Sequence, residues 1–143
     1  MLQKTLLTLC MAIPLTGCEV LMLANVVAGC AIRPAPELLP KELPAAVVGA
    51  PYSIRIDVIN ASTPTSQLLV APGMPLPNGL ELTHIEREKH GVTQGIPTKT
   101  GRYDVLVYGS TYGTQCTGQD IERLYRLDVT DNGHSTAADP NTD

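Results

Sequence analysis

The sequence predicts an all-β sandwich of about seven short antiparallel strands, and three observations carry that expectation. Apolar residues recur at period two in three runs: Tyr52, Ile54, Ile56 and Val58, then Tyr103, Val105 and Val107, then Tyr125, Leu127 and Val129. Each run alternates with polar neighbours, as a strand with one face on a core requires. Turn-forming residues separate the runs, notably Pro77-Asn78-Gly79 and the stretch from Thr98 to Gly101. The chain also has no Phe and no Trp, so its core must be built from Val, Ile, Leu and five Tyr, which suits a thin two-sheet structure. Its 143 residues suffice for one ordinary domain once a targeting segment is set aside.

Residues 1–17 read as a signal peptide, with Lys4 ahead of an apolar run from Thr5 to Leu15. The tetrapeptide Leu15-Thr16-Gly17-Cys18 resembles the lipobox of bacterial lipoproteins, in which small residues fit the peptidase and the Cys thiol takes a diacylglycerol. The resemblance implies lipidation at Cys18 and a membrane-anchored lipoprotein of the bacterial cell envelope, facing the periplasm or the cell exterior. Val27-Ala28-Gly29-Cys30 fits the same pattern. Cys18 is preferred because the run before it already has signal-peptide length and Glu19 would interrupt a longer one. A single span from Thr5 to Ile32 is the competing reading; it is long enough to cross a bilayer, but Glu19 at bilayer depth is costly. Residues 18–42 are then a lipidated Cys, an apolar segment and a tether whose Pro34, Pro36 and Pro40 predict an extended, semi-rigid spacer rather than a packed element.

Within residues 43–130 the expected elements follow in order. A short strand lies at Ala45 to Val48, and an amphipathic strand from Tyr52 to Val58 crosses the core. A Ser-, Thr- and Pro-containing loop from Ala61 to Ser66 precedes a short strand at Leu68 to Val70. Pro77 takes the second position of a turn, and Leu80 and Leu82 alternate beyond it. Val92 and Ile96 share one face of the next strand, which Pro97 ends by withholding a backbone N–H. The strand from Tyr103 to Tyr108 is expected to pair with a last strand whose Ile121, Tyr125, Leu127 and Val129 share a face, with Arg123 near its start. Residues 131–143 lack large apolar side chains and are expected to be disordered.

The segments GAPY (49–52), LPNGLEL (76–82) and GVTQGIPTKTGRYDVLV (91–107) together resemble the immunoglobulin-like domains of bacterial surface and secreted proteins, distant relatives of cadherin-like folds. The resemblance covers Leu43 to Thr130 and implies an immunoglobulin-like β-sandwich in a cell-surface setting, without one biochemical activity. It also places Tyr103, two residues after Gly101, where such sandwiches carry a tyrosine corner: ring in the core, hydroxyl on backbone. Where the family continues with a small acidic or amide-rich segment, this chain has YGSTYGTQCTGQD.

The formal charge of −4, with Lys and Arg scattered singly, excludes a strongly basic nucleic-acid face. His84, His90 and His134 have no metal-ligand spacing, and neither HExxH nor GxSxG occurs, so no catalytic residue, metal or cofactor is expected. Calcium needs about six to eight converging oxygens. Glu86-Arg87-Glu88 and Asp128 to Asn132 are therefore read as a solvated turn and the start of a tail, the more so because Gly109 to Thr114 stands where a cadherin pattern wants a further acidic ligand. The stretch most like a binding loop is Tyr108 to Thr117, where Tyr108 and Tyr112 offer amphipathic contact area amid adaptable Gly and Ser; a plain strand connection is the competing reading. The expected function is a non-catalytic binding or spacer module for another envelope protein or glycan. The alternatives are an accessory structural subunit pairing through an exposed strand edge, and an unrecognised enzyme. If Cys18 is acylated and Cys10 leaves with the signal peptide, Cys30 and Cys116 remain to form a disulfide outside the cytoplasm.

Overall fold

A computed structural model describes residues 17–131. The signal peptide expected over residues 1–17 and the tail expected over 131–143 therefore lie, apart from Gly17 and Asp131, outside the described residues. The chain divides after Pro34 into two units. In the first, the apolar segment is a helix, α1 (Gly17–Ala31), whose Met22, Leu23 and Val27 are exposed. Among the described residues no helix is long and apolar enough to cross a membrane.

The second unit is an all-β sandwich with eight strands among the described residues: β1 (Glu37–Leu39), β2 (Ala46–Val47), β3 (Tyr52–Ile59), β4 (Thr65–Val70), β5 (Leu80–His84), β6 (His90–Gly95), β7 (Gly101–Thr111) and β8 (Asp120–Thr130). One sheet has the order β1-β3-β6-β5 and the other β2-β8-β7-β4. Every pairing is antiparallel except β2 with β8, which is parallel. The inward faces meet in one core of Leu38, Leu43, Ala46, Tyr52, Ile56, Val58, Ala61, Leu68, Val105, Val107, Ile121, Tyr125, Leu127 and Val129. The three period-two runs thus supply most of the core, as alternation on a pleated strand dictates.

The Pro-rich stretch is not all spacer. Glu37–Leu39 pairs with β3 in the register Glu37↔Ile59 to Leu39↔Asp57, and Leu38 is 0 % exposed. Pro36 and Pro40 bound this strand instead of preventing it, because a three-residue edge strand needs no N–H from its flanks. Ala46 and Val47 then leave the first sheet and join β8 in the other, so the entering chain contributes to both sheets.

Three further expectations shift. The turn before β5 is closed by the Leu80 N–H donating to the Pro77 carbonyl at 3.0 Å, which makes Pro77 its first residue, Asn78 its second and Gly79 the carrier of positive φ (94°). A Cβ on Gly79 would lie 2.0 Å from the Ile96 carbonyl oxygen, so the residue is fixed twice over. In β6 the inward face is Gly91 and Thr93, while Val92 is half-buried and Ile96 is exposed beyond the strand. The reason is Gly91, whose missing side chain leaves room for the Leu68 and Leu82 methyls; a Cβ there would meet them at 3.0 and 3.1 Å. Finally, Arg123 is the fourth residue of β8 and points its half-buried side chain toward Glu37 of β1, 3.9 Å away.

Tyr103 packs partly buried against the core and donates its hydroxyl to the Lys99 carbonyl at 3.3 Å, with the Thr100 carbonyl at 3.5 Å. Tyr52 donates to the Pro44 carbonyl at 3.0 Å. The Tyr125 hydroxyl is buried with no hydrogen-bond partner among the described residues. Burial pushes the Tyr52 and Tyr125 phenols up to about 12.

Two outcomes follow from this packing. Leu38→Ala removes a fully buried side chain and is expected to lower unfolding free energy by about 2–5 kcal/mol in urea denaturation, whereas a pure tether would show no change. The raised phenol values mean that the unfolded chain loses protons first as pH rises past 10, so stability is full below pH 10 and is lost between pH 10 and about 12. Tyr125→Phe is expected to reduce that alkaline slope by about half without loss of stability at pH 7, because its hydroxyl has no partner to give up.

Candidate functional site

The expected binding stretch divides between a strand and a loop. Tyr108 to Thr111 belong to β7, with Tyr108 opposite Leu69 of β4 and Glu122 of β8, so these residues are ladder rather than loop. β7 is longer than expected because Tyr108-Gly109-Ser110-Thr111 keeps the alternation going: Gly109 and Thr111 are buried, Tyr108 and Ser110 half-buried. The connection proper runs from Tyr112 to Gln119. It is tied across its base by the Thr111 N–H donating to the Gln119 carbonyl and the Gln119 N–H donating to Thr111 Oγ1, both at 2.9 Å, and across its tip by the Thr114 N–H donating to the Cys116 carbonyl at 2.8 Å.

Tyr112 is not a free contact residue. Its N–H donates to the Pro64 carbonyl at 3.0 Å, and its own carbonyl accepts from Thr63 Oγ1 at 2.7 Å. The phenol donates to Glu86, and the Arg87 guanidinium lies over the ring, 5.1 Å from its centre. Glu86 and Arg87 belong to the turn between β5 and β6, which sits in the opposite sheet. Arg87 adopts positive φ (74°) there and donates its N–H to the Thr65 carbonyl at 2.9 Å, while Lys89 reaches the Ala61 carbonyl at 2.8 Å. The hydrogen bond to the Glu86 carboxylate raises the Tyr112 phenol above its ordinary value, since ionising the phenol would give that bond up, and the carboxylate's charge adds to the effect. Tyr108 and Tyr112 are thus held by different neighbours; Tyr112 acts as a clasp between the sheets at one end of the sandwich.

The acidic clusters are engaged in the same way. Asp128 takes a hydrogen bond from Arg102 at 2.8 Å, which holds that guanidinium above its ordinary pKa, and Glu88 lies 3.7 Å from His90. Among the described residues no three His, Cys, Asp or Glu side chains converge as a metal site. His84 sets Nδ1 against the His90 carbonyl at 2.9 Å and leaves Nε2 buried with no partner among the described residues. Cys18 lies in the first turn of α1 with its side chain outside the described atoms, and Cys30, near the end of the same helix, and Cys116 are each disulfide-bonded.

A second region was not anticipated. The edges of β4 and β5 flank two adjoining hollows, of about 440 and 280 Å³, that share Leu69 and Leu82. The signal was present in TSQLLV, a strand without charge or proline, but a short apolar run does not reveal whether it sits at an edge.

The clasp predicts a graded response. Tyr112→Phe keeps the ring under Arg87 and is expected to leave melting temperature nearly unchanged. Tyr112→Ala is expected to raise amide exchange at least about tenfold in both the turn from Ile85 to Lys89 and the connection to Gln119, because both lean on one ring. Exchange rising in only one segment would show that the two are independent. In comparison with known proteins, no family model matches this chain and no curated protein is similar to it.

Proposed function

We propose that the protein is a membrane-anchored bacterial envelope lipoprotein whose immunoglobulin-like domain is a non-catalytic binding or spacer module for another envelope protein or glycan. The observation that carries this reading is the strand order. β1-β3-β6-β5 facing β2-β8-β7-β4, with the first strand divided between the sheets, corresponds to the A-B-E-D and A′-G-F-C arrangement of immunoglobulin domains. The Tyr103 hydroxyl on backbone carbonyls three and four residues upstream is in keeping with a tyrosine corner. Such sandwiches present loops and edges on a rigid frame, and function follows those surfaces rather than the frame.

Membrane attachment is supported by Leu15-Thr16-Gly17-Cys18 and by the exposed Met22, Leu23 and Val27 that follow it, apolar surface that lipid would cover. The reading pairs Cys30 with Cys116, closing a long chain loop. On the chain-entropy account such a bridge stabilises by about 4 kcal/mol.

Expression of the full chain in a bacterium tests this. Intact mass is expected to show a diacylglycerol on Cys18 and no alkylatable thiol before reduction, and Cys18→Ser is expected to release the protein from the membrane fraction. A diacylglycerol on Cys30, or two free thiols in unreduced protein, would overturn the anchor assignment or the bridge respectively. Affinity capture from envelope extract is expected to return one reproducible partner; turnover in a hydrolase screen that survives repurification would replace the binding reading with an enzyme.

A further inference from the structure

We infer that the open edge of β4, with the groove between it and β5, is a docking site for an extended partner segment in which apolar residues alternate with Lys or Arg. The inference rests on the binding-module reading and names the surface and the chemistry of its partner.

The four sheet edges are not alike. β1 has three residues between prolines, and β2 has two. β8 extends past β2, but its inward-pointing Arg123 reaches toward Glu37, a charge that opposes pairing with a further strand. β5 carries Glu81. β4 reads TSQLLV, with no charge and no proline, and Leu69 is 43 % exposed. Its only irregularity is the register shift between Thr65 and Gln67, which leaves Gln67 to Val70 in regular register with β7. The Ala71 N–H donates to the Leu106 carbonyl at 2.9 Å. Backbone groups alternate along an antiparallel ladder, so Leu68 and Val70 turn their N–H and C=O groups away from β7 to the open side.

Across the groove the same rule applies. The Ile96 N–H donates to the Gly79 carbonyl at 3.0 Å, which turns the backbone of Leu80, Leu82 and His84 away from β6. Apolar side chains line the groove between, with Leu68, Leu76, Leu80, Leu82 and Val70 among them. Its regular length, four residues of β4, is about 13 Å and fits a short strand.

Charge decides the occupant. The ionisable residues lining the groove are Glu81, His84 and Glu86, and no Lys or Arg lines it. His84 turns Nδ1 to the His90 carbonyl and keeps Nε2 buried, so it presents no charge to the groove. The exposed Glu81 and Glu86 offer negative charge, which Lys or Arg side chains complement. A second copy of this chain would bring its own Glu81 and Glu86 to the same place.

The test is a titration of the ¹⁵N-labelled full chain, in zwitterionic detergent, with three capped synthetic peptides: alternating valine and lysine, alternating valine and glutamate, and the valine–lysine peptide N-methylated at every second residue. The valine–lysine peptide is expected to shift the Leu68 and Val70 amides, slow their exchange, and bind at least about tenfold tighter than either of the others. Val70→Pro removes one outward N–H and leaves the bonds to β7, so it is expected to abolish this binding. Glu81→Lys, at an exposed position, is expected to weaken the lysine peptide and strengthen the glutamate peptide even if the proline variant does not fold. Equal affinity for both charges, shifts centred on Tyr112 to Gln119, or a concentration-dependent dimer broken by Val70→Pro would each overturn the inference. Envelope capture that persists while the peptide fails to bind overturns the edge and leaves the module reading standing. Peptide binding at β4 with no captured partner supports the edge and removes that reading.

Discussion

The antiparallel ladder between β7 and β8, running from Gly101↔Val129 to Ser110↔Asp120, is the constraint on which the other elements depend. It places Val105, Val107, Ile121, Tyr125, Leu127 and Val129 on one inward face, and the opposite sheet has to cover that face. Once it is fixed, β4 has one strand to pair with on its inner side and β2 another, so the second sheet is complete. Cross-strand ion pairs on the outer face, Arg102 with Asp128 and Arg126 with Asp104, lie directly opposite in register and resist a one-residue slip that would turn the buried set to solvent.

Absence of Phe and Trp shapes how the two sheets meet. With aliphatic side chains, threonines and tyrosines inside, close approach depends on small residues where strands oppose each other, as Gly91 does beneath Leu68 and Leu82. Tyrosine brings a hydroxyl wherever it fills space. Tyr52 and Tyr103 spend theirs on backbone carbonyls at the margins, while the Tyr125 hydroxyl is enclosed, with the Arg123 charge nearby. Clasps at the ends then supplement a thin core, Tyr112 between Glu86 and Arg87 being the clearest.

Much of this was legible where local chemistry and burial agree. The runs at Tyr52, Tyr103 and Tyr125, and the positive φ before Leu80, can be read directly because alternation and turn geometry are local properties. β1 was not, since three residues among prolines give no period, and its burial of Leu38 comes from a partner twenty residues later. The faces of β6 were misread because Gly91 and Thr93 look polar or empty in sequence and are inward only because Leu68 and Leu82 occupy the space. The same limit applies to Tyr112, whose composition suggests a mobile paratope-like loop while its partners, Glu86 and Arg87, lie far back in the chain. The β4 edge is invisible for a related reason: being an edge is a property of sheet order.

The parallel pairing of β2 with β8 has a mechanical consequence. Ala46 and Val47 lie beside Val129 and Thr130, and the Val48 N–H donates to the Thr130 carbonyl at 2.9 Å. Chain enters β2 from one end and leaves β8 at the other, so a pull on β2 against the far end of β8 drags these strands past each other along their length. The contacts between them are then strained together in shear, not opened one after another as in a zipper.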